Sequence, residues 1–356
     1  MSAAGSSSMR LRVLAFVVIV ALCAAGVAGF ALHVVRKAQA PSGSGAAAPT
    51  FVRVDALPAA VGAQGRPFVV FRSTALGDSY GRVASAFLDS PDGPRSVGPM
   101  SCDRVHYAAG SGICLEARRG AVTTYRGVLF DAHFAVRKTF ELAGPPSRAR
   151  VSPDGRRAAF TVFINGHAYS NPGFTTRASI VDAIDGTPLV DNLEDWPVSR
   201  DGAPYRAADF NFWGVTFSRD ANRFFATLGT NGVTHLVEGD LSAKQMRVIA
   251  DGVECPSLSP DGRRIAFKRR ATDPQGRLLW HLAVLELATG KVDMLGAETR
   301  NVDDQVEWNG DGEILYGMPV DSGQSSAEMD VWAIAADGAT PARRVLPFAF
   351  SPAVVR

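Results

Sequence analysis

Two patterns in the chain carry residue types that catalysis uses. Leu76-Gly77-Asp78-Ser79 follows the apolar run 68–71, so a serine hydroxyl would stand just beyond a strand. A serine nucleophile needs a base, normally a histidine. One Asp-x-x-His tetrad exists, Asp103-Arg104-Val105-His106, ending 27 residues after Ser79. It falls inside a strand-like run between two cysteines, and no crossover helices separate it from the serine. The pair therefore reads as a Gly-Asp turn and an unrelated strand histidine. G-x-S-x-G, a P-loop, G-x-G-x-x-G after a strand and H-E-x-x-H are all absent. Asp303-Asp304 and Asp311-Gly312-Glu313 lack the D-x-D-x-D-G spacing of a calcium loop and read as solvated structural acids. The expectation is a protein without catalytic residues, metal or cofactor.

Cysteines offer a different chemistry. Cys102 and Cys114 stand twelve apart in SCDRVHYAAGSGICLEA, around a turn signal. That spacing can bring two strands into cross-strand register, which predicts a disulfide; two separately buried thiols are the alternative. Cys255 stands alone before a strand and reads as a buried thiol, and Cys23 lies in an apolar segment.

Recognition chemistry is carried by aromatic side chains in the two longest irregular stretches, 161–178 and 196–214. The candidate binding residues are Phe163, His167, Tyr169, Phe174, Tyr205 and Phe210, because rings on loops over a rigid scaffold favour recognition. Trp196, Phe212 and Trp213 lie in the same stretches, the last two also placed to fill a core.

The scaffold is legible in the turns. From about residue 51 the chain consists of short β-prone runs, with Asp-Gly pairs at Asp92, Asp154, Asp185, Asp201, Asp251, Asp261, Asp311 and Asp337. Asp-Gly favours tight turns because glycine accepts positive φ. A longer phrase recurs: VSPDGRRAAF at 151–160 and LSPDGRRIAF at 258–267, with degraded copies FSRDANRFFA at 217–226 and WNGDGEILY at 308–316. Spacings from Ser152 to Ser218, Ser259 and Asn309 are 66, 41 and 50 residues. Units of this length with four strands each are propeller blades. Blades are expected to start near Phe68, Cys102, Val151, Val215, Pro256 and Val306, and FAFSPAVV (348–355) is expected to pair with PFVVFRS (67–73) to close the first blade. Ser90-Pro91-Asp92-Gly93 reads as a turn late in that blade. The fold class is all-β, a six-bladed propeller over residues 63–356.

The phrase S-P-D-G-R-R-(I/A)-A-F resembles the repeat of TolB-type β-propellers, the WD40-like family with Pro-Asp in the turn. It covers roughly residues 65 to 356. The resemblance implies an exported protein working with a protein partner in a cell-envelope assembly, with no catalysis of its own. The chain departs from the family in lacking a separate amino-terminal α/β domain. Such blades also occur in the propellers of prolyl oligopeptidases. A channel enzyme and a glycan or small-ligand sensor are therefore the alternative functions.

Residues 13–35 hold no charge and are long enough to cross a bilayer. They exceed a signal h-region, and Pro41 follows the Ala38-Gln39-Ala40 pattern, so an uncleaved single-pass anchor is expected. Residues 1–12 would be cytoplasmic, 36–62 a flexible linker and the remainder extracytoplasmic. Beyond residue 40 the chain has 33 basic and 35 acidic residues, since Arg10, Arg12, Arg36 and Lys37 account for the rest of the 37 basic ones. That balance gives no footprint for nucleic acid.

Overall fold

The computed structural model describes residues 5–38, 49–58, 65–320 and 327–356, in two compact units, 1–46 and 47–356. The first contains helix α1 (Gly5–Ala38), within which Arg12–Phe30 is apolar enough to cross a membrane. A signal sequence has the same features. The connecting stretch expected at 36–62 lies partly outside the described residues, at 39–48 and 59–64.

The second unit is a ring of six blades, antiparallel except where β1 joins β4 and β13 joins β18. Blade one uses β1 (Phe51–Arg53), β2 (Phe68–Ser73), β3 (Arg82–Phe87) and β4 (Arg95–Ser101). Blade two is β5 (Arg104–Ala108), β6 (Ser111–Arg118), β7 (Thr124–Asp131) and β8 (Val136–Glu141). Blade three is β9 (Pro146–Val151), β10 (Arg157–Asn165), β11 (Thr175–Asp182) and β12 (Pro188–Val190). Blade four holds β13 (Val198–Arg200), β14 (Ala203–Tyr205), β15 (Asn211–Phe217), β16 (Arg223–Thr230), β17 (Val233–Asp240) and β18 (Gln245–Asp251). Blade five is β19 (Glu254–Leu258), β20 (Arg264–Thr272), β21 (Leu278–Glu286) and β22 (Val292–Met294). Blade six is β23 (Glu307–Asn309), β24 (Glu313–Pro319), β25 (Met329–Ala335) and β26 (Arg343–Leu346). The last strand, β27 (Ala349–Val355), pairs with β2, Val70 opposite Ala353, as the sequence predicts. Strands β27, β5, β9, β15, β19 and β23 contact one another in turn and line the central channel.

The repeated phrase builds one turn in each good copy. Ser152 Oγ donates to Asp154 Oδ1 at 2.6 Å, Asp154 Oδ1 accepts the Arg156 N–H, and Gly155 takes φ +72°. Ser259 and Asp261 repeat this geometry. In the degraded copy Ala221 occupies the left-handed region at φ +52°, where the others place glycine. Asp311 does not cap its own turn as Asp154 and Asp261 do. Its Oδ1 accepts the Asp261 N–H of the neighbouring blade.

Packing within blades uses bare glycine surface. Gly112 stands opposite Phe130 and Gly239 opposite Phe224, and each ring lies where a Cβ would fall, 2.2 and 2.1 Å away. A phenylalanine thus covers backbone that glycine leaves exposed.

Three sequence expectations change. Residues 51–57 belong to the propeller: β1 pairs in parallel with β4, and Leu57 is 1% exposed beside Tyr107 and Phe134. The disulfide Cys102–Cys114 is present, yet the two residues are not cross-strand partners. Cys114 faces Val105, and Cys102 precedes β5, donating its N–H to Gly81 O in blade one. The bond therefore ties the blade one–blade two junction to β6. Stretches 161–178 and 196–214 are about half strand, and the extra length of the long repeat is the hairpin β13–β14, joined in parallel to β18.

Thiol titration of the unfolded, unreduced chain should find two thiols, Cys23 and Cys255; four would refute the disulfide. Reduction should lower stability by about 3 kcal/mol, read by denaturant melts. A chain ending at Pro347 removes β27 and exposes the β2 edge. Its unfolding should lose cooperativity, because the loss is comparable with the ~5–15 kcal/mol that holds a domain folded.

Candidate functional site

The channel is lined by charge. Side chains two apart on one strand share a face, so alternate residues of each inner strand point to the axis. On β9 these are Arg148 and Arg150, and on β5 Arg104 and His106. Asp303, Asp304 and Gln305 lie just before β23, and Glu307 begins it.

Two ionic groups result. At the end where the S-P-D-G turns lie, Arg150 forms a short ion pair with Glu307, and its Nη2 donates to Val306 O at 2.9 Å. His106 sits in this group. Its Nδ1 accepts the Val151 N–H at 3.1 Å, which places the proton of neutral His106 on Nε2, 3.6 Å from Glu307 Oε2. Burial, reinforced by the Arg150 charge, holds His106 below its ordinary pKa. Burial acts against the Glu307 charge as well, but Arg150, His106 and the Val354 N–H together keep that carboxyl below the usual range.

At the opposite end, Lys268 is fully buried and donates to Asp303 Oδ1 at 2.5 Å. Its ammonium lies 4.7 Å from the Tyr169 ring centre and 4.4 Å from that of Trp280, a desolvated cation–π arrangement. Arg148 also reaches Asp303, at 3.2 Å. Burial disfavours the Asp303 charge, yet Lys268 and Arg148 prevail and hold its pKa down. Asp304 is 3% exposed and accepts the N–H groups of Gln305 and Gly317. Asp304 is therefore not the solvated carboxylate expected from sequence, whereas Asp303 remains partly exposed and is held by its two cations. Both anchor the channel.

Two cavities open at this second end. One, of about 620 Å³, is the channel mouth and is lined by Arg72, Arg104, Arg119, His167, Asp303 and Phe350 among others. The other, of about 950 Å³, lies over blades three to five and includes Tyr169, Phe174, Phe210, Trp213 and Arg270. A smaller one of about 480 Å³ at the S-P-D-G end includes His106 and Glu307.

The sequence candidates separate into three places. Phe163 and Tyr169 are buried and pack with Phe174 and Trp213, ring centres 5.1 Å apart for Phe163–Tyr169 and 5.3 Å for Phe174–Trp213. Tyr169 and Phe174 contribute to the larger cavity as well as to the core. Tyr205 and Phe210 are half-buried against each other on blade four, Tyr205 also meeting His235 and Phe210 meeting Phe212. His167 is exposed at the channel mouth, its N–H held by Asn171 Oδ1. Ser79 and His106 are not brought together, since Ser79 lines a separate cavity of about 560 Å³ beside β1. Cys255 is buried beside Trp213. Sequence reasoning missed the channel ions. Their signal is an alternating charge inside a strand, as in Arg148-Ala149-Arg150.

No protein-family model matches the chain, and no curated protein matches it. Among solved structures, TolB from Acinetobacter baumannii superposes with a TM-score of 0.53 at 17% identity, covering 82% of this chain and 67% of that one. The fold is that of the TolB propeller. A nidogen/laminin complex chain aligns with a TM-score of 0.51 at 9% identity over 81% of this chain and 98% of that one. An acylaminoacyl peptidase from Pyrococcus horikoshii aligns over 68% of this chain but 38% of its own, with a TM-score of 0.39 and 13% identity. The TolB-like fold thus stands.

Because His106 is held below its ordinary pKa, the unfolded chain binds a proton there that the folded chain does not. Acidification below about pH 6.5 should therefore destabilise the protein, by up to ~1.4 kcal/mol per pH unit from this group. His106→Gln should flatten the fall in stability between pH 7 and pH 5; an unchanged slope refutes the assignment.

Proposed function

We propose that the chain is a membrane-tethered, extracytoplasmic propeller that binds a protein partner at its charged channel mouth and adjoining groove, without catalysis of its own. The observation that carries this reading is the pair of cavities open on one end of the ring. The groove of about 950 Å³ is framed by connections of blades three, four and five, and the mouth of about 620 Å³ adjoins the axis. Connections on a rigid ring form a large recognition surface that need not reorganise on binding. Ile164 is 53% exposed on the groove wall and Val233 52%, apolar surface that a partner would cover.

The chemistry of the channel supports the non-catalytic reading. Glu307 and Asp303 are spent on Arg150, Arg148 and Lys268. His106 accepts the Val151 N–H at Nδ1 and turns its Nε2–H toward Glu307, so it presents no lone pair toward a hydroxyl nucleophile. The apolar helix supports tethering, and the disulfide supports an oxidising compartment.

A benzophenone side chain in place of Ile164 or Asn171 should give one discrete adduct in native membranes. The same group in place of Arg263, at the S-P-D-G end, should give none. Equal adducts from both ends, or turnover of a substrate lost on Glu307→Gln with the fold intact, would overturn the reading.

A further inference from the structure

The channel mouth carries more positive charge than its acids can neutralise. Arg72, Arg104 and Arg119 line it with Asp103 and Asp303, and Arg148, Lys268 and Asp304 lie buried directly behind, five cations against three carboxylates. The neighbouring pair Arg270–Glu254 cancels itself. All three acids are already used. Asp303 accepts from Lys268 and Arg148, Asp304 accepts two backbone N–H groups, and Asp103 accepts the Ala117 N–H and faces Arg119.

Arg104 is the cation held by the loosest contact, an ion pair to Asp304 without a hydrogen bond. Its guanidinium lies 4.3 Å from the Phe350 ring centre and 3.8 Å from Asp304 Oδ1, beyond hydrogen-bond reach. Among the described residues its side chain makes no hydrogen bond, although it is only 17% exposed and lines the mouth. A guanidinium carries five N–H donors in a planar fork that matches a carboxylate. Arg72 flanks it with Nε bound to Cys102 O and its face on Tyr80.

We propose that the Arg104 fork is a receptor for one side-chain carboxylate of an acidic peptide segment that a protein partner inserts into the channel mouth. This rests on the protein-binding reading and names the chemistry of the inserted segment. The Arg104 cation is poorly compensated: burial, and next the like charge of Arg148, lower its pKa to about 10. A bound carboxylate supplies the missing counter-charge in a desolvated site, where a bidentate pair is strongest. Tyr80, Tyr125, Pro145 and Met329 line the same mouth and offer apolar contact to the peptide backbone on either side.

The test uses the full chain in detergent and labelled octapeptides of alternating Gly with Glu, Gln or Lys, read by fluorescence anisotropy at low salt. The Glu peptide should bind at least about tenfold tighter than the Gln peptide, and binding should weaken as salt rises. Arg104→Gln should remove that preference, with Arg104→Lys intermediate because it keeps the charge and loses the fork. Arg219→Gln, at the other mouth, should change nothing. Melting temperature checks that the variants fold. Equal affinity for Glu and Gln peptides, or a preference that survives Arg104→Gln, overturns the proposal. Tighter binding of an oligogalacturonate than of the Glu peptide overturns the peptide assignment. Discrete adducts at Ile164 that persist undiminished in Arg104→Gln sink the carboxylate subsite alone. An Arg104-dependent Glu preference without any adduct sinks the partner reading alone.

Discussion

Six sheets arranged about an axis leave one seam, and the pairing of β27 with β2 closes it. A ring left open there would present an unpaired edge and a loosened channel. The closure joins the two ends of the propeller through register partners such as Phe68 and Val355. It also fixes the axis chemistry. Ser351 on β27 donates to Val105 O, Phe350 lies under Arg104, and the Val354 N–H reaches Glu307. Both mouths of the channel are thus shaped by a strand that is last in the sequence.

Charge in the channel follows from geometry as much as from function. Burying charge is tolerated where each ion has a partner and its hydrogen bonds are made. The S-P-D-G end comes closer to that condition, since Arg150, Glu307 and His106 pair among themselves and with the backbone and only Arg150 Nε is left without a partner there. The opposite end meets it for Lys268 and Asp303 but leaves an excess of cations, so the two ends of one channel differ in what they can accept.

What could be read in the sequence was what is local. The S-P-D-G turns are made within six residues, so Ser152, Asp154 and Gly155 declare their own geometry, and blade spacing follows from them. The seam was legible because FAFSPAVV is a first strand without a second. The aromatic stretches were legible as unusual, although Phe163 and Tyr169 turn out to be chiefly core. The channel ions were not legible, since Arg150, Ser257 and Glu307 meet from three blades, and Lys268 reaches Asp303 across strands. Strand β1 was hidden by its alanine- and proline-rich approach, and its pairing with β4 depends on a distant partner.

The outer rims of the blades are treated unequally. Blade one is covered by β1 and blade four by the hairpin β13–β14. Of the four bare rims, β12, β22 and β26 are only three or four residues long, too short to template another chain. Strand β8 is the long one, and it spends its six residues on Val136, Arg137, Lys138, Thr139, Phe140 and Glu141, five of them exposed. Its two adjacent cations would have to be stripped of water before a second molecule could add a strand there. Protection of that edge against a second molecule therefore falls largely to Arg137 and Lys138.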